Sequence, residues 1–378
     1  MIFGGYLLFA SGYVLLAIRR LLAFKLPTNL SPKHFPPITI LKPVHGAEVE
    51  LFENLSSFCR QDYPEYQVVF GVATEDDPAV AVIRQVMAAC PAADITLTVN
   101  GRAIGTNRKI GNVANCALLA KHDLFVIADS DMRVKPSYLQ CVAASFDDPE
   151  VGAGTCLYRG RAPDGGLASM LGAAFINEWF LPSVLVALKF KSLHFCFGAT
   201  MAVRRTILQE VGGFERLADE LADDYMLGEL VARCGKQVAL IPYVVENTVQ
   251  ETSVGALIRH ELRWARTIRT VQPVGFCLSF RTYVMPAAVA FALVTPSPAR
   301  ALLAIAVGIG LRALMHDAAR IVHDIDAPAH YSLAVVRDLL CFGVWAMSFV
   351  TRDVEWQGYS FRVDKKGHLA LKGTPQSP

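Results

Sequence analysis

The chain has 378 residues, of which 53% are hydrophobic and 19% charged, with a mean hydropathy of +0.35. That is too apolar for an ordinary soluble enzyme and too charged for a wholly embedded protein, so it divides into a soluble domain of roughly 200–250 residues plus membrane segments. A net charge of +2 gives no case for a nucleic-acid partner, and nine scattered cysteines without a C-x-x-C pair argue against zinc or disulfides and for a reducing, cytosol-facing domain.

Met1 to Ile18 is uncharged and, as a helix, spans roughly 27 Å, near the thickness of a bilayer's hydrocarbon. Arg19, Arg20 and Lys25 come after the apolar run, the reverse of a secretory leader. Residues 1–24 are therefore predicted to be an uncleaved anchor with its N-terminus outside, and the positive-inside rule puts the chain beyond residue 24 in the cytoplasm.

Residues 36–275 alternate in type. Ile38–Val44, Gln67–Ala73, Ile95–Asn100 and Leu124–Ser130 read as strands, and Glu50–Arg60, Pro78–Ala89 and Asn112–Lys121 as helices. Strand and helix in turn predict a mostly parallel sheet covered on both faces, with ligands beyond the carboxyl ends of the strands. Polar residues gather at those ends: Lys42, then Glu75–Asp76–Asp77, then Asp129–Ser130–Asp131. In "VIADSDMRV" the i, i+2 spacing on a strand would converge Asp129 and Asp131, which a divalent cation between them makes tolerable; a solvated turn explains the stretch equally well.

The loop "GRAIGTNRKIGNV" carries Arg102, Arg108 and Lys109, but the chain has neither G-x-G-x-x-G nor a Walker loop, so the usual signatures for dinucleotides and ATP are missing. These cations could meet a phosphate or base, or only water. "ADDYMLGELVARCG" predicts a helix opened by Asp223 or Asp224 and closed by Gly235. One aspartate suffices as a cap; the other could act as a base, its pKa raised by its neighbour. In "RHELRWARTIRT", Arg259, Arg263 and Arg266 fall within an arc of roughly 60° beside Trp264. Such a stripe calls for a shared anion, either a substrate phosphate or lipid headgroups.

Within 276–350, Thr282–Val294 and Ala299–Leu314 are apolar runs joined by a "TPSPAR" turn, and Ser332–Val350 is a third containing Arg337 and Asp338. Three full crossings would leave the basic tail, 351–378, outside. That charged pair is costly at mid-bilayer, so one segment is predicted to lie in or dip into the interface, with the tail cytoplasmic.

Asp77 in "EDDPAV", the "DSD" of Asp129–Asp131, Asp224 in "DDYM" and Arg263–Trp264 in "HELRW" succeed one another as D, D-x-D, D, x-x-R-W. With "ILKP", "QDYPEYQV", "N-x-K-x-x-N" and "W-x-G-x-x-F-R-V" (Trp356–Val363), this order resembles the membrane-bound family 2/21-type glycosyltransferases across nearly the whole chain. It is similar to the ceramide glucosyltransferase group, and most closely to bacterial hopanoid-biosynthesis-associated glycosyltransferases. The resemblance implies an α/β, GT-A-like fold with N- and C-terminal membrane helices in a multi-pass protein of the bacterial inner membrane. It implies an inverting, metal-dependent enzyme that moves a sugar from a UDP-sugar to a membrane lipid hydroxyl: GlcNAc to a polyhydroxylated hopanoid or, alternatively, glucose to ceramide. By the same resemblance Lys42, Asp77, Asn107, Lys109, Asn112 and Asp129 would line the nucleotide-sugar pocket, and Asp129 and Asp131 would hold Mg²⁺ or Mn²⁺. Asp224 would deprotonate the acceptor, Arg263 and Trp264 would steady the leaving diphosphate, and Gly198, Asp223, His260 and Arg266 would lie nearby. His260 stands where that family carries Gln or Arg. "LGAAFINEWFLPSVLVALKF" (Leu171–Phe190) is either a lipid-facing surface or a buried core helix. A rival of another class is a non-catalytic membrane protein that binds anionic lipid or nucleotide through the arginine helix.

Overall fold

The computed structural model describes residues 2–27, 31–325, 328–350, 353–356, 359–363 and 369–371. Helix α1 (Ile2–Leu22) leads into β1 (Ile38–Pro43), α2 (Leu51–Phe58), β2 (Tyr66–Val72), α3 (Ala79–Ala89), β3 (Asp94–Val99), α4 (Arg108–Ala117) and β4 (Leu124–Ile127). The chain continues through β5 (Met132–Arg133), α5 (Tyr138–Ser145), β6 (Val151–Arg161), α6 (Leu167–Phe175), α7 (Leu181–Phe190), β7 (Met201–Arg204), α8 (Arg205–Glu210), α9 (Asp223–Arg233) and β8 (Gln237–Thr248). Next come the helices α10 (Val254–Val271), α11 (Pro273–Leu278), α12 (Val284–Val294), α13 (Pro298–His323) and α14 (Tyr331–Met347), then strands β9 (Asp353–Trp356), β10 (Tyr359–Val363) and β11 (Leu369–Leu371).

The main sheet has the order β3-β2-β1-β4-β7-β6-β8-β5. Its first four strands are parallel, β7 runs antiparallel to both neighbours, β6 and β8 are parallel, and β5 is antiparallel to β8. Both faces are covered, as apolar parallel strands require. Ile38, Ile40, Val68 and Phe70 meet α2, α3 and α5 on one side, while Leu41, Val69, Phe125 and Ile127 meet α4, α8 and α9 on the other.

Near the site, two boundaries differ from expectation in ways that matter to it. Strand β4 stops at Ile127, so Asp129 and Asp131 sit in a turn closed by Met132 N–H donating to the Asp129 carbonyl (3.2 Å) and do not share a strand face. Helix α4 begins at Arg108, four residues before the predicted Asn112, because the Asn107 side chain caps it by accepting from Ile110 N–H at 3.1 Å.

The apolar helices α1, α7, α12 and α13 share a core that includes Ala10, Val14, Leu185, Val284, Ala287 and Met315. Among the described residues α1, 167–190 and α13 are long and apolar enough to cross a membrane, and 273–282 with 284–294 is a pair bent by 60°. Helix α13 runs nine residues past the predicted Leu314. Its Arg312 reaches Glu178 (3.4 Å) and Asp338 (3.7 Å), and His316 pairs with Glu178 at 2.7 Å. Helix α14 starts beside the end of α13 and finishes against α11, where Trp345 Nε1 donates to the Phe276 carbonyl at 2.9 Å. Arg337 is fully buried and forks onto Glu261 of α10 through bonds of 2.8 and 2.5 Å.

The segment predicted as a plain basic tail contains β9–β11, a small antiparallel sheet. Arg266 donates to the Asp353 carbonyl (2.6 Å), Leu369 N–H to the Asp219 carbonyl (2.9 Å), and the Thr106 hydroxyl to the Leu369 carbonyl (3.3 Å). Those bonds fasten the segment to α10 and to the loop before α4. Residues 351–352, 357–358, 364–368 and 372–378, Gly358 of the W-x-G motif among them, lie outside the described residues.

Candidate active site

The carboxyl ends of β1, β2 and β4 face a cavity of about 1020 Å³, walled by α4, α6, α9 and α10. One end is polar, lined by Asp77, Arg108, Lys109, Asn112, Asp129, Asp131, Asp223, Asp224 and Arg263. The other is largely apolar, lined by Tyr158, Gly172, Phe175, Ile176, Val249 and Leu257. Thus the start of the Leu171–Phe190 stretch faces the cavity, while its second half packs on α1 through Leu181 and Leu185.

Parallel-strand topology gathers the acidic residues from distant parts of the chain. Lys109, in the first turn of α4, bonds Asp129 Oδ1 at 2.7 Å and pairs with Asp223 Oδ2 at 3.4 Å. Burial alone would lower its pKa, but Asp129, Asp223 and Asp224 together hold it well above the usual lysine range. Asp131 accepts from Asn247 Nδ2 at 2.8 Å through Oδ2, while its Oδ1 is buried without a hydrogen-bond partner. Burial, then Glu48 and Asp129, push its carboxyl well above the ordinary range. Such an orphaned hard oxygen fits a divalent cation. Among the described residues no three His, Cys, Asp or Glu side chains group as ligands, so Asp129 and Asp131 would need phosphate oxygens and water to complete the shell of Mg²⁺ or Mn²⁺.

Helix α9 is not capped by either aspartate: Ala222 is its N-cap, and Asp223 and Asp224 occupy the first turn. Asp224 Oδ2 accepts from Gly198 N–H at 2.8 Å and Oδ1 from Tyr225 N–H at 2.7 Å. Burial first, then the charge of Asp223, push its carboxyl up to about 6 against the opposing pull of Lys109. Gly198 itself leaves little room: a Cβ there would press on Asp129 Oδ2 at 3.0 Å and touch Lys109 Nζ at 3.4 Å and Asp224 Oδ2 at 3.5 Å. Gly198→Ala should therefore cut turnover about tenfold or more by displacing these groups, with little change in thermal midpoint; wild-type turnover would refute this placement.

Several expected pocket residues serve other ends. Lys42 is fully buried, donates to the Asp129 carbonyl and lies 3.6 Å over the Phe58 ring, so it braces the turn from beneath and does not line the cavity. Burial lowers it to about 7 despite Asp131 and Asp129. Asn107 is likewise buried as the cap of α4, donating to the Glu220 carbonyl at 2.8 Å. Asp77 lines the cavity, but its carboxylate already accepts from Gly46 and Ala79 N–H, both at 2.9 Å, and contacts His45 Nδ1 at 2.8 Å. Asn112 lines it too while donating to the Gly71 carbonyl at 2.8 Å.

The three arginines of the stripe do not converge on one place. Arg259 is exposed and Arg266 binds the Asp353 carbonyl; of the three, Arg263 alone lines the cavity. Its charge interacts with Asp129, Glu251, Asp223 and Asp224. Trp264 lines the cavity beside it, with Phe175 at 5.9 Å and the His260 ring at 4.3 Å. Glu48, Glu251 and Glu261 are not among the candidates read from the sequence, yet all three line the cavity. No local spacing flags them: Glu48 and Glu251 lie in loops that meet across the sheet edge, and Glu261 is on α10 with its partner Arg337 on α14.

The family described as Glycosyl transferase family 21 matches residues 6–369. Ceramide glucosyltransferase 1 of Caenorhabditis elegans is 22% identical over 251 residues, covering 65% of this chain and 54% of that protein. Ceramide glucosyltransferase 3 of the same organism is 25% identical over 234 residues, covering 61% and 50%. The chain thus spans about half the length of these curated relatives. Among solved structures, the mannosyltransferase PcManGT from Pyrobaculum calidifontis, in complex with GDP-Man and Mn²⁺, aligns with a TM-score of 0.56 at 18% identity, over 90% of this chain and 99% of that one. At that identity the likeness establishes the fold, which is a GT-A-like glycosyltransferase fold with apolar helices at both ends.

Proposed function

The chain belongs to glycosyl transferase family 21, and from that premise we propose that it transfers a sugar from a UDP-sugar to a hydroxyl of a membrane lipid, with inversion at the anomeric carbon. The observation that carries this reading is the two-ended cavity. A cluster of carboxylates and cations at one end continues into an apolar end lined by Phe175, Ile176 and Leu257, next to helices of membrane-crossing length. A nucleotide diphosphate suits the first end and a lipid the second.

Breaking a sugar–diphosphate bond develops negative charge on the leaving group. Lys109, Arg108 and Arg263 supply cations on that wall, and such donors stabilise the transition state more than the ground state. Asp224, with a pKa near 6, is ionised at neutral pH yet basic enough to take the acceptor's hydroxyl proton. A divalent cation held by Asp129 and Asp131 would supply further charge neutralisation on the diphosphate. The catalytic region would face the cytoplasm, with α14 at the interface and β9–β11 on the same side as the domain.

Two donor–acceptor pairs fit this reading: UDP-glucose with ceramide, supported by the curated relatives, and UDP-GlcNAc with a polyhydroxylated hopanoid, supported by the motif resemblance. Membranes carrying the chain, incubated with each labelled donor and each lipid, should give a lipid-soluble glycoside with one pair. No product from any combination would favour a non-catalytic lipid-binding role. EDTA should abolish transfer and weaken UDP binding in calorimetry; undiminished transfer would remove the metal from the scheme.

A further inference from the structure

Where the turn after β8 meets α10, a glutamate and a histidine form a pair that the transfer scheme leaves unused. His260 Nδ1 hydrogen-bonds the Glu251 carboxylate, and both residues line the cavity. Their side chains are largely but not wholly covered, 27% exposed for His260 and 13% for Glu251. The imidazole packs edge-on to Trp264, one helical turn on. Its other nitrogen, Nε2, has no hydrogen-bond partner among the described residues, although the ring borders open space. On either side, Val249 and Leu257 belong to the apolar end of the cavity, and Arg263 interacts with the aspartate cluster. The pair therefore stands at the junction between the two ends.

The chemistry of this junction selects among ligands. With Nδ1–H donated to the Glu251 carboxylate, the neutral form of the imidazole presents a lone pair at Nε2 and the charged form an N–H, and a hydroxyl can bond either. A lone pair beside a carboxylate repels phosphate oxygens, which only accept, and welcomes a hydroxyl, which donates. Glu261, on the same wall, adds a second carboxylate and is matched by the buried Arg337. A diphosphate is better served farther in, by Lys109, Arg108 and Arg263.

We propose that Glu251 and His260 bind a second hydroxyl of the acceptor headgroup, next to the one that Asp224 deprotonates, and so set the preference for a lipid diol or polyol over a simple lipid alcohol. This rests on the lipid glycosyltransferase reading and makes it more specific. A hydroxyl held by His260 would turn its neighbour toward Asp224, while the apolar body lies along Phe175 and Ile176. Both residues are specificity determinants in this scheme, and the proton still passes to Asp224.

The test compares acceptors that differ by one hydroxyl, with the full chain in membranes. Ceramide is paired with 3-deoxyceramide, and bacteriohopanetetrol with a hopanoid mono-alcohol, using whichever donor supports transfer. For wild type the polyol should have the lower KM. His260→Ala should raise the polyol KM about tenfold, leave the mono-alcohol KM within twofold, and leave UDP affinity by calorimetry unchanged. His260→Gln, whose amide oxygen can still accept, should recover most of the loss, and Glu251→Gln should fall between. Should His260→Ala fail to fold, judged by loss of its thermal unfolding transition in detergent, the Gln variants carry the same comparison. Equal losses on polyol and mono-alcohol would overturn the proposal and reduce His260 to packing for Trp264. A selective loss of UDP affinity would overturn it in favour of a diphosphate contact. If wild type transfers to neither polyol, the parent reading fails and takes this one with it; transfer to the mono-alcohol at equal efficiency sinks this inference alone.

Discussion

Asp224→Asn should lower the rate of transfer by about a hundred- to ten-thousandfold, the range over which a positioned general base acts, while UDP binding stays within twofold. Asparagine keeps the shape of the aspartate and one of its two contacts, since its oxygen can accept from Gly198 or Tyr225 N–H while its NH2 faces the other donor, but it cannot take a proton. The pH profile gives an independent readout. Burial and Asp223 raise this carboxyl to about 6, so it holds its proton to higher pH than an ordinary aspartate. The active, ionised form is therefore lost as pH falls through 6, and kcat/KM should drop roughly tenfold per pH unit below that point and be flat just above it. In the asparagine variant the acidic limb should vanish. A variant that keeps wild-type turnover, or a profile indifferent to the substitution, would assign the base elsewhere.

Arg337→Met should cost on the order of 3–5 kcal/mol of stability, because it strands the Glu261 carboxylate in a site only 3% exposed. Thermal unfolding in detergent should show the midpoint falling by roughly ten degrees. Adding Glu261→Gln should recover part of the loss, since two neutral partners tolerate burial better than one unpaired charge. The activity should fall as well. Glu261 lies two residues before Arg263 on α10, and Arg337 also sits 5.2 Å over the Phe175 ring, which in turn contacts Trp264. A midpoint unchanged by the single substitution would mean that the ion pair contributes nothing to holding α10.

Much of this arrangement could be read from the chain, and what could not shares one physical cause. The strands β1–β4 declare themselves because each is a short β-branched run bounded by polar ends. Asp129, Asp131 and Asp224 stand out because carboxylates at such ends need a reason. Local pattern fails where the partner is remote. Glu261 and Arg337 are 76 residues apart, and Glu178 and Arg312 are 134 apart, so neither pair leaves a periodic trace. The arginine stripe misleads for a related reason. Its geometry on the helix is right, but β9 arrives from far along the chain and occupies Arg266. Lys42 and Asn107 mislead differently: each is a polar residue at a strand or helix end, and each supports a loop of the cavity from behind. Residues that shape a site and residues that touch a ligand look alike in one dimension.

The fastening of β9–β11 to the loop before α4 bears on how the enzyme sits. Helix α10 leads into the α12–α13 hairpin, and the chain then returns to the domain through α14 and those strands, while α1 packs on the same hairpin from the other end of the sequence. In the membrane reading proposed above, the catalytic region is moored at three points, and three points define a plane. Rocking on a single stalk is thereby suppressed, and the mouth of the cavity keeps one height over the lipid surface. An acceptor must then rise a set distance to meet Asp224, which turns headgroup length into a criterion of selection.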